Sequence, residues 1–221
     1  MKHALVIGAS GGIGSAISSE LSARGYSVTG LSRSANGLDV TDEASVKAAL
    51  SDVNQPMSLI FVATGALEPG GHRPEKALRE VTPAALEAAF RINAIGPLLV
   101  LKHSLHLLPK NAPSVFAALS ARVGSIGDNG IGGWHSYRAS KTALNQLIHG
   151  AAIELKRTHK QASAVCLHPG TVETSFTEKY ASRHKTVPAP QAAANLVNVI
   201  EGLTPAQSGG FSDYAAQKIP W

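Results

Sequence analysis

Ala4-Leu5-Val6-Ile7-Gly8-Ala9-Ser10-Gly11-Gly12-Ile13-Gly14 is the stretch whose reading decides the architecture. A short apolar run ends in glycine, and Ile13, Ile17 and Leu21 then recur at helical spacing as far as Arg24. The reading is a buried strand, a tight turn and the start of a helix. Glycine lets the backbone turn sharply and approach an anion, and the unpaired amides of a helix start attract phosphate. Gly14 would let the helix lie close to the strand. A purely structural turn needs glycine too, but a strand before it and a helix after it favour a dinucleotide pyrophosphate. Gly8, Ser10, Gly11, Gly12, Ile13 and Gly14 are therefore candidate cofactor-binding residues.

Working outward, the same alternation continues. Tyr26–Leu31 reads as the second strand, and Thr41 to Leu50 as a helix opened by a capping Thr41. Residues 58–63 read as a third strand ending near Gly65, and the Pro/Gly-rich stretch 66–82 as a rim loop. Residues 84–108 form a long helix bent near Gly96-Pro97, because proline lacks the amide hydrogen a helix interior uses. Ser114–Leu119 is a strand, 135–159 a second long helix, and 163–167 the next strand. Alternation of this kind predicts α/β architecture: a Rossmann-type doubly wound parallel sheet with helices on both faces. Residues 1–221 form a single domain in this reading, since no linker or repeat divides them.

The chain has 221 residues, 44% of them hydrophobic, which suffices for a full core without disulfides or metals. Cys166 is the only cysteine, so no intrachain disulfide and no Cys-x-x-Cys zinc pattern exists. Its apolar surroundings, Ala164 to Leu167, leave a buried structural thiol and a reactive one as the two readings. The net charge of +5 is scattered rather than run together, which suits a solvated surface and an anionic cofactor better than nucleic acid. Gly8 ends the first apolar run too early for a signal peptide or a membrane span. The expectation is a cytoplasmic protein with a small-molecule substrate and no nucleic-acid or membrane partner. His103 and His106, three apart, have no accompanying metal-ligand motif, and no metal is expected.

Strand two ends in Leu31-Ser32-Arg33, where a doubly wound sheet faces the adenosine ribose. A carboxylate would suit a free 2′-hydroxyl; Ser32 and the Arg33 guanidinium suit a 2′-phosphate, which points to NADP(H). Farther on, Tyr137 and Lys141 are four apart on the second long helix and share a face. Alone, such a spacing is common. Chemically it is specific, because a free tyrosine loses its proton only near pH ~10, and a neighbouring ammonium would favour the phenolate.

Together, Gly8-x-x-x-Gly12-Ile13-Gly14, Asn93 and Tyr137-x-x-Ser140-Lys141 resemble the short-chain dehydrogenase/reductase family over essentially the whole chain. Gly124-Ser125-Ile126, Gly132-Gly133-Trp134 and Tyr137-Arg138-Ala139-Ser140-Lys141 resemble the branch of C-factor-type signalling proteins and sniffer-type carbonyl reductases. The resemblance implies that Tyr137 is the general acid/base, that Lys141 holds the nicotinamide ribose and lowers the tyrosine pKa, and that Asn93 keeps a relay water in line. By the same resemblance Asp39 and Val40 border the adenine. Ala63, Thr64 and Gly65 stand where the family has Asn-Ala-Gly, and Pro169, Gly170, Val172 and Thr174 close over the nicotinamide.

One position departs. Where the family places a second serine, the line Ser120-Ala121-Arg122-Val123-Gly124-Ser125 has alanine. Ser120 is the preferred substitute catalytic serine and Ser125 the alternate; a serine that merely satisfies the strand end is the plain reading. Residues 175–188 would form a lid, with Phe176 and Tyr180 either on the substrate or packed together. The function implied is NADP(H)-dependent hydride transfer between nicotinamide and a carbonyl or alcohol. The alternative is a cofactor-binding signalling or sensor protein with little turnover. By resemblance, the helices 84–108 and 135–159 pair between subunits of a homodimer or homotetramer.

Overall fold

Ala4 to Ile7 form the buried part of the first strand, β1 (Lys2–Ile7), and the main sheet is built parallel to it. The structure, a computed structural model, describes residues 1–174 and 186–221. The sheet has six strands: β1, β2 (Tyr26–Leu31), β3 (Leu59–Val62), β4 (Ser114–Leu119), β5 (Ala162–His168) and β8 (Phe211–Asp213). Their order across the sheet is β2-β1-β3-β4-β5-β8, every pairing parallel. The order reverses at β1, so the crossovers on its two sides lie on opposite faces, and the carboxyl ends of β1 and β3 open a crevice between them. A separate two-stranded pair, β6 (Val172–Glu173) and β7 (Val187–Pro188), sits beyond β5.

Alternation along each strand divides the core in two. Leu5, Ile7, Ile60, Val62, Phe116, Ala118 and Cys166 face α3 (Glu43–Ser51), α5 (Gly96–Ser104) and α6 (His135–Thr158). Ala4, Val6, Leu59, Phe61, Ala117, Leu119 and Val165 face α1 (Gly12–Ala23) and α7 (Ala189–Glu201). The apolar faces of the helices follow: Ile17 and Leu21 on α1, Leu144 and Ile148 on α6, Leu196, Val197 and Ile200 on α7.

The expected helices are present, with two local changes. The cap of α3 is Asp42, whose carboxylate accepts from Ala44 N at 2.9 Å. Thr41, the residue expected to cap it, instead donates its hydroxyl to Asp39. The bend expected at Gly96-Pro97 is a π-turn over Arg91–Ile95, joining α4 (Pro83–Phe90) to α5. Pro97 cannot donate the i→i−4 bond to Asn93, and the wider turn accommodates that step. The run Pro83–Leu107 is long and apolar enough by composition to cross a bilayer, but Ala85, Ala89, Ala94, Val100 and Leu101 are buried in the fold.

Candidate active site

The glycine-rich turn leaves β1 at Gly8, whose φ of 84° is a left-handed conformation that suits glycine. Gly8 and Ala9 donate to Leu31 O at the end of β2, at 2.7 and 3.2 Å, so the turn is fastened to the ribose-facing strand. Helix α1 then begins without a side-chain cap and without an acidic residue in its first turn. Its first amides are thus open to an anion. Beside the turn, the Thr64 hydroxyl is buried with no hydrogen-bond partner. A helix start without a cap and an orphaned hydroxyl at one crevice fit a bound dinucleotide.

The crevice continues into a cavity of about 780 Å³, within the range of small-molecule and cofactor sites. Gly11 to Gly14, Ala63 to Gly65, Ser120, Tyr137 and Lys141 all line it. Pro169, Gly170, Val172 and Thr174 form a wall, and Thr174 approaches the turn so closely that a Cβ on Gly12 would lie 2.6 Å from its methyl. Gly8, Ser10, Ser32, Arg33, Asp39, Val40 and Asn93 do not line this cavity. Ser10 and Arg33 are exposed. Ser32 is buried as the cap of the short helix α2 (Arg33–Asn36), accepting from Ala35 N at 3.2 Å. Asp39 holds its own turn, accepting from the Thr41 hydroxyl at 2.7 Å, a bond that keeps its carboxyl below the usual range.

Tyr137 and Lys141 lie one turn apart on α6, both buried, with the ammonium 5.9 Å from the centre of the phenol ring. Lys141 Nζ donates to Leu119 O at 2.8 Å, which ties the helix to the end of β4. Burial pushes the Lys141 ammonium down to about 8. Burial also pushes the Tyr137 phenol up, so the lowering expected from the neighbouring ammonium is absent in this state. The physical reason is desolvation: a buried phenolate loses more hydration than an ammonium at this distance returns. The phenol is therefore protonated at neutral pH, as a proton donor must be.

Asn93 joins three elements. Its side chain accepts from Ala66 N at 2.8 Å and donates to Ala66 O at 3.0 Å and to Ser140 Oγ at 3.1 Å. A Cβ on Gly65 would lie 3.2 Å from Asn93 Oδ1 and 3.3 Å from Lys141 Nζ, so the two polar atoms converge there. The two candidate serines are engaged elsewhere. Ser120 Oγ donates to the buried Asn145 Oδ1 at 2.7 Å, and Ser125 Oγ donates to Pro220 O at 2.6 Å and accepts from Asp128 N. Cys166 is buried, and burial pushes its thiol up to about 12, which selects the structural reading over the reactive one. His103 meets Glu43 at 2.8 Å as a surface pair. Phe176 and Tyr180 lie outside the described residues.

One participant carried no local signal. Trp134, the residue before α6, is in a left-handed conformation and offers no side-chain cap. The cap comes from Glu75, in the loop after β3. Its buried carboxylate accepts from Ser136 N at 3.1 Å and from the Ser136 hydroxyl, and its carbonyl accepts from Trp134 N at 2.6 Å. Burial alone would raise this carboxyl, but the Ser136 hydroxyl, the Glu75 and Ser136 backbone amides and the nearby His135 together outweigh it and hold the pKa below the usual range. A Glu75→Ala variant should lose about 1–3 kcal/mol of stability, since it orphans the Ser136 amide and hydroxyl; denaturant unfolding measures it. With the folded pKa depressed, that contribution is complete above the unfolded carboxylate range and disappears as pH falls through the folded pKa. The stability difference between wild type and variant should therefore shrink in acid.

A family profile described as enoyl-(acyl carrier protein) reductase matches residues 8–203. A 1-hydroxy-2-glutathionyl-2-methyl-3-butene dehydrogenase of Rhodococcus sp. (strain AD45) is 32% identical over 239 aligned positions, covering 100% of both chains. The C-signal protein of Myxococcus xanthus is 37% identical over 145 residues, which span 66% of this chain and 84% of that one. Among solved structures, the carbonyl reductase Sniffer of D. melanogaster superposes with a TM-score of 0.84 at 22% identity, covering 100% of both chains. An NADP-bound short-chain dehydrogenase/reductase from Burkholderia multivorans gives 0.85 at 24% identity, covering 100% of this chain and 99% of that one. With Gly11 to Gly14 and the Tyr137–Lys141 pair lining one cavity and Asn93 bonded to Ser140 behind them, the chain belongs to the short-chain dehydrogenase/reductase family of oxidoreductases.

Proposed function

We propose that the protein is an NADP(H)-dependent reductase of a small aldehyde or ketone, with Tyr137 as the proton donor. The observation that carries this reading is the buried, protonated Tyr137 sharing one cavity with Lys141 and the open start of α1. Relatives support it: the Rhodococcus dehydrogenase matches over its full length, and solved neighbours include NADP- and NADPH-bound proteins and carbonyl reductases.

When bound, the nicotinamide supplies hydride to the carbonyl carbon. Tyr137 gives its phenolic proton to the carbonyl oxygen, so that no alkoxide accumulates in the cavity. Lys141, held at Leu119 O, stabilises the phenolate left on Tyr137 by charge and holds the ribose. Asn93 and Lys141 converge at Gly65, where a relay water would return a proton to the phenolate. The start of α1 and Thr64 would hold the pyrophosphate side, and the Pro169–Thr174 wall would exclude water.

The test is nicotinamide oxidation with a panel of aldehydes, ketones and quinones. Turnover by the wild type supports the reading. Tight NADPH binding with no turnover of any carbonyl would overturn it in favour of a sensor.

Arg33 is the proposed contact for the 2′-phosphate, exposed at the end of β2 and at the first position of α2. Losing a charge-assisted bond of about 1.5–3 kcal/mol weakens binding roughly 10- to 100-fold. Arg33→Asp should therefore weaken NADPH by that factor and leave NADH nearly unchanged. Equal losses for both cofactors, measured by fluorescence titration, would remove Arg33 from the 2′-phosphate.

A further inference from the structure

We infer that His168 supplies the substrate-orienting hydrogen bond for which this chain has no serine, donating from Nε2 to the oxygen of a bound carbonyl. The inference rests on the carbonyl-reductase reading above and names a residue that reading leaves open. Ala121 presents only a methyl where the family's serine would stand. The nearby hydroxyls face protein partners: Ser120 binds Asn145, Ser125 binds Pro220 O, Ser140 binds Tyr137 O, and Ser136 binds Glu75. None of those hydroxyls keeps a proton for a substrate.

His168 ends β5 and lines the same cavity as Tyr137. Its place on the sheet is fixed by register. Ala118, Cys166 and Phe211 occupy the α6 face on three adjacent strands. Two residues farther along each strand, Ser120, His168 and Asp213 fall on that same face. The row therefore sits at the carboxyl edge, where the cavity opens.

The two ring nitrogens of His168 differ. Nδ1 is buried and has no hydrogen-bond partner. Nε2 likewise has no hydrogen-bond partner among the described residues and is not among the buried orphaned atoms, so with the ring lining the cavity we take it as the nitrogen that opens there. A neutral imidazole has one proton to place. Setting it on Nδ1 would bury an orphaned N–H, which costs more than burying an unused lone pair. The favoured tautomer carries the proton on Nε2, aimed at the substrate.

The surroundings keep the ring neutral. Burial is the larger cause and the Arg122 guanidinium the next; with Asp213 opposing them, the pKa falls to about 4. Arg122 lines the same cavity and is paired with Asp128 at 2.8 Å and with Asp213 at 3.0 Å. Asp213 in turn is held by Ala215 N and Gln217 N, each at 3.0 Å. The carboxylate is thus committed to Arg122 and to its own turn, and it does not draw a proton onto Nδ1. A neutral donor suits the role, since it polarises a carbonyl without competing with Tyr137 to protonate it.

The test compares His168→Leu and His168→Gln with the wild type. Removing one pre-organised donor should lower kcat about 100-fold in the Leu variant, with NADPH affinity unchanged. The Gln variant keeps an N–H and should recover a large part of the loss, which a purely structural role would not produce. Wild-type kcat in the Leu variant, or equal impairment in both, would overturn the assignment. A second readout does not depend on turnover. Nitrogen NMR of the histidine ring in the NADPH complex should show the proton on Nε2, and adding isobutyramide, a non-reducible carbonyl, should shift that resonance. A proton on Nδ1, or no shift, would overturn the assignment even if the variants are unstable. If the wild type reduces no carbonyl while isobutyramide still shifts Nε2, the reductase reading fails and the His168 donor stands.

Discussion

Replacing Tyr137 with phenylalanine should abolish most turnover while leaving the protein folded and the cofactor bound. General acid catalysis by a positioned side chain is worth about 10²- to 10⁴-fold, and the phenol is the proton donor that the proposed reduction uses. The phenyl ring is retained, so the edge-on contact with Trp134, 6.2 Å between centroids, survives. Little stability should be lost. Carbonyl-dependent nicotinamide oxidation is the readout for the first half, and thermal unfolding with NADPH titration for the second. A Phe variant as active as wild type would remove Tyr137 from the proton-transfer step. The wild-type pH profile adds a second constraint. Burial lowers Lys141 to about 8 and raises Tyr137, so the ammonium discharges first as pH rises. Reduction should therefore decline above pH 8 because Lys141 loses its charge, with Tyr137 still protonated. A profile flat to much higher pH would mean that the Lys141 charge contributes nothing to the step.

The sheet and the Tyr137–Lys141 pair were legible for the same reason: each is written locally. A strand, a glycine turn and a helix occupy consecutive residues, and i, i+4 spacing places two side chains on one face. The π-turn at Arg91–Ile95 adds a single residue to one helical turn and leaves no periodic trace; only Pro97 hints at the place. β8 is three residues, Phe211–Asp213, too short to alternate, although it supplies Asp213 beside His168. α7 was not among the expected helices, although its apolar positions Ala192, Ala193, Leu196, Val197 and Ile200 follow a helical period. Glu75 had no readable signal. It sits in a loop rich in proline and glycine, and its partner Ser136 lies 61 residues away. The direction of the Tyr137 shift was illegible as well, because desolvation depends on how completely the surrounding elements close over the ring. Contacts between distant segments and burial are properties of the assembled fold, and both decide this site's chemistry.

Gly14→Ala should be the most damaging single-methyl change in the turn, through folding as much as through binding. An alanine Cβ at Gly14 would stand 2.1 Å from Gly8 O and 2.8 Å from Gly8 C, both backbone atoms. No rotamer relieves that contact, so either the turn or α1 must move. The turn is held by the bonds from Gly8 and Ala9 to Leu31 O, and α1 is held by Ile17 and Leu21 packed in the core with Leu196 and Val197. With neither side free to retreat, strain of about 1–3 kcal/mol or more is expected, read as a lower denaturation midpoint. Displacing the start of α1 also misaims its amides, so NADPH affinity should fall in the folded fraction. Gly11→Ala separates the two effects. There, among the described residues, a Cβ would meet only Gly8 O, at an ordinary 3.4 Å, and the backbone φ of −78° is one that any residue adopts. Gly11 lines the cavity, so its methyl would occupy space that the pyrophosphate needs. Gly11→Ala should therefore unfold like the wild type and bind NADPH poorly, whereas Gly14→Ala should fail in both. If Gly11→Ala binds NADPH as tightly as wild type, the start of α1 is not the pyrophosphate site, and the glycines of this turn serve the strand–helix packing alone.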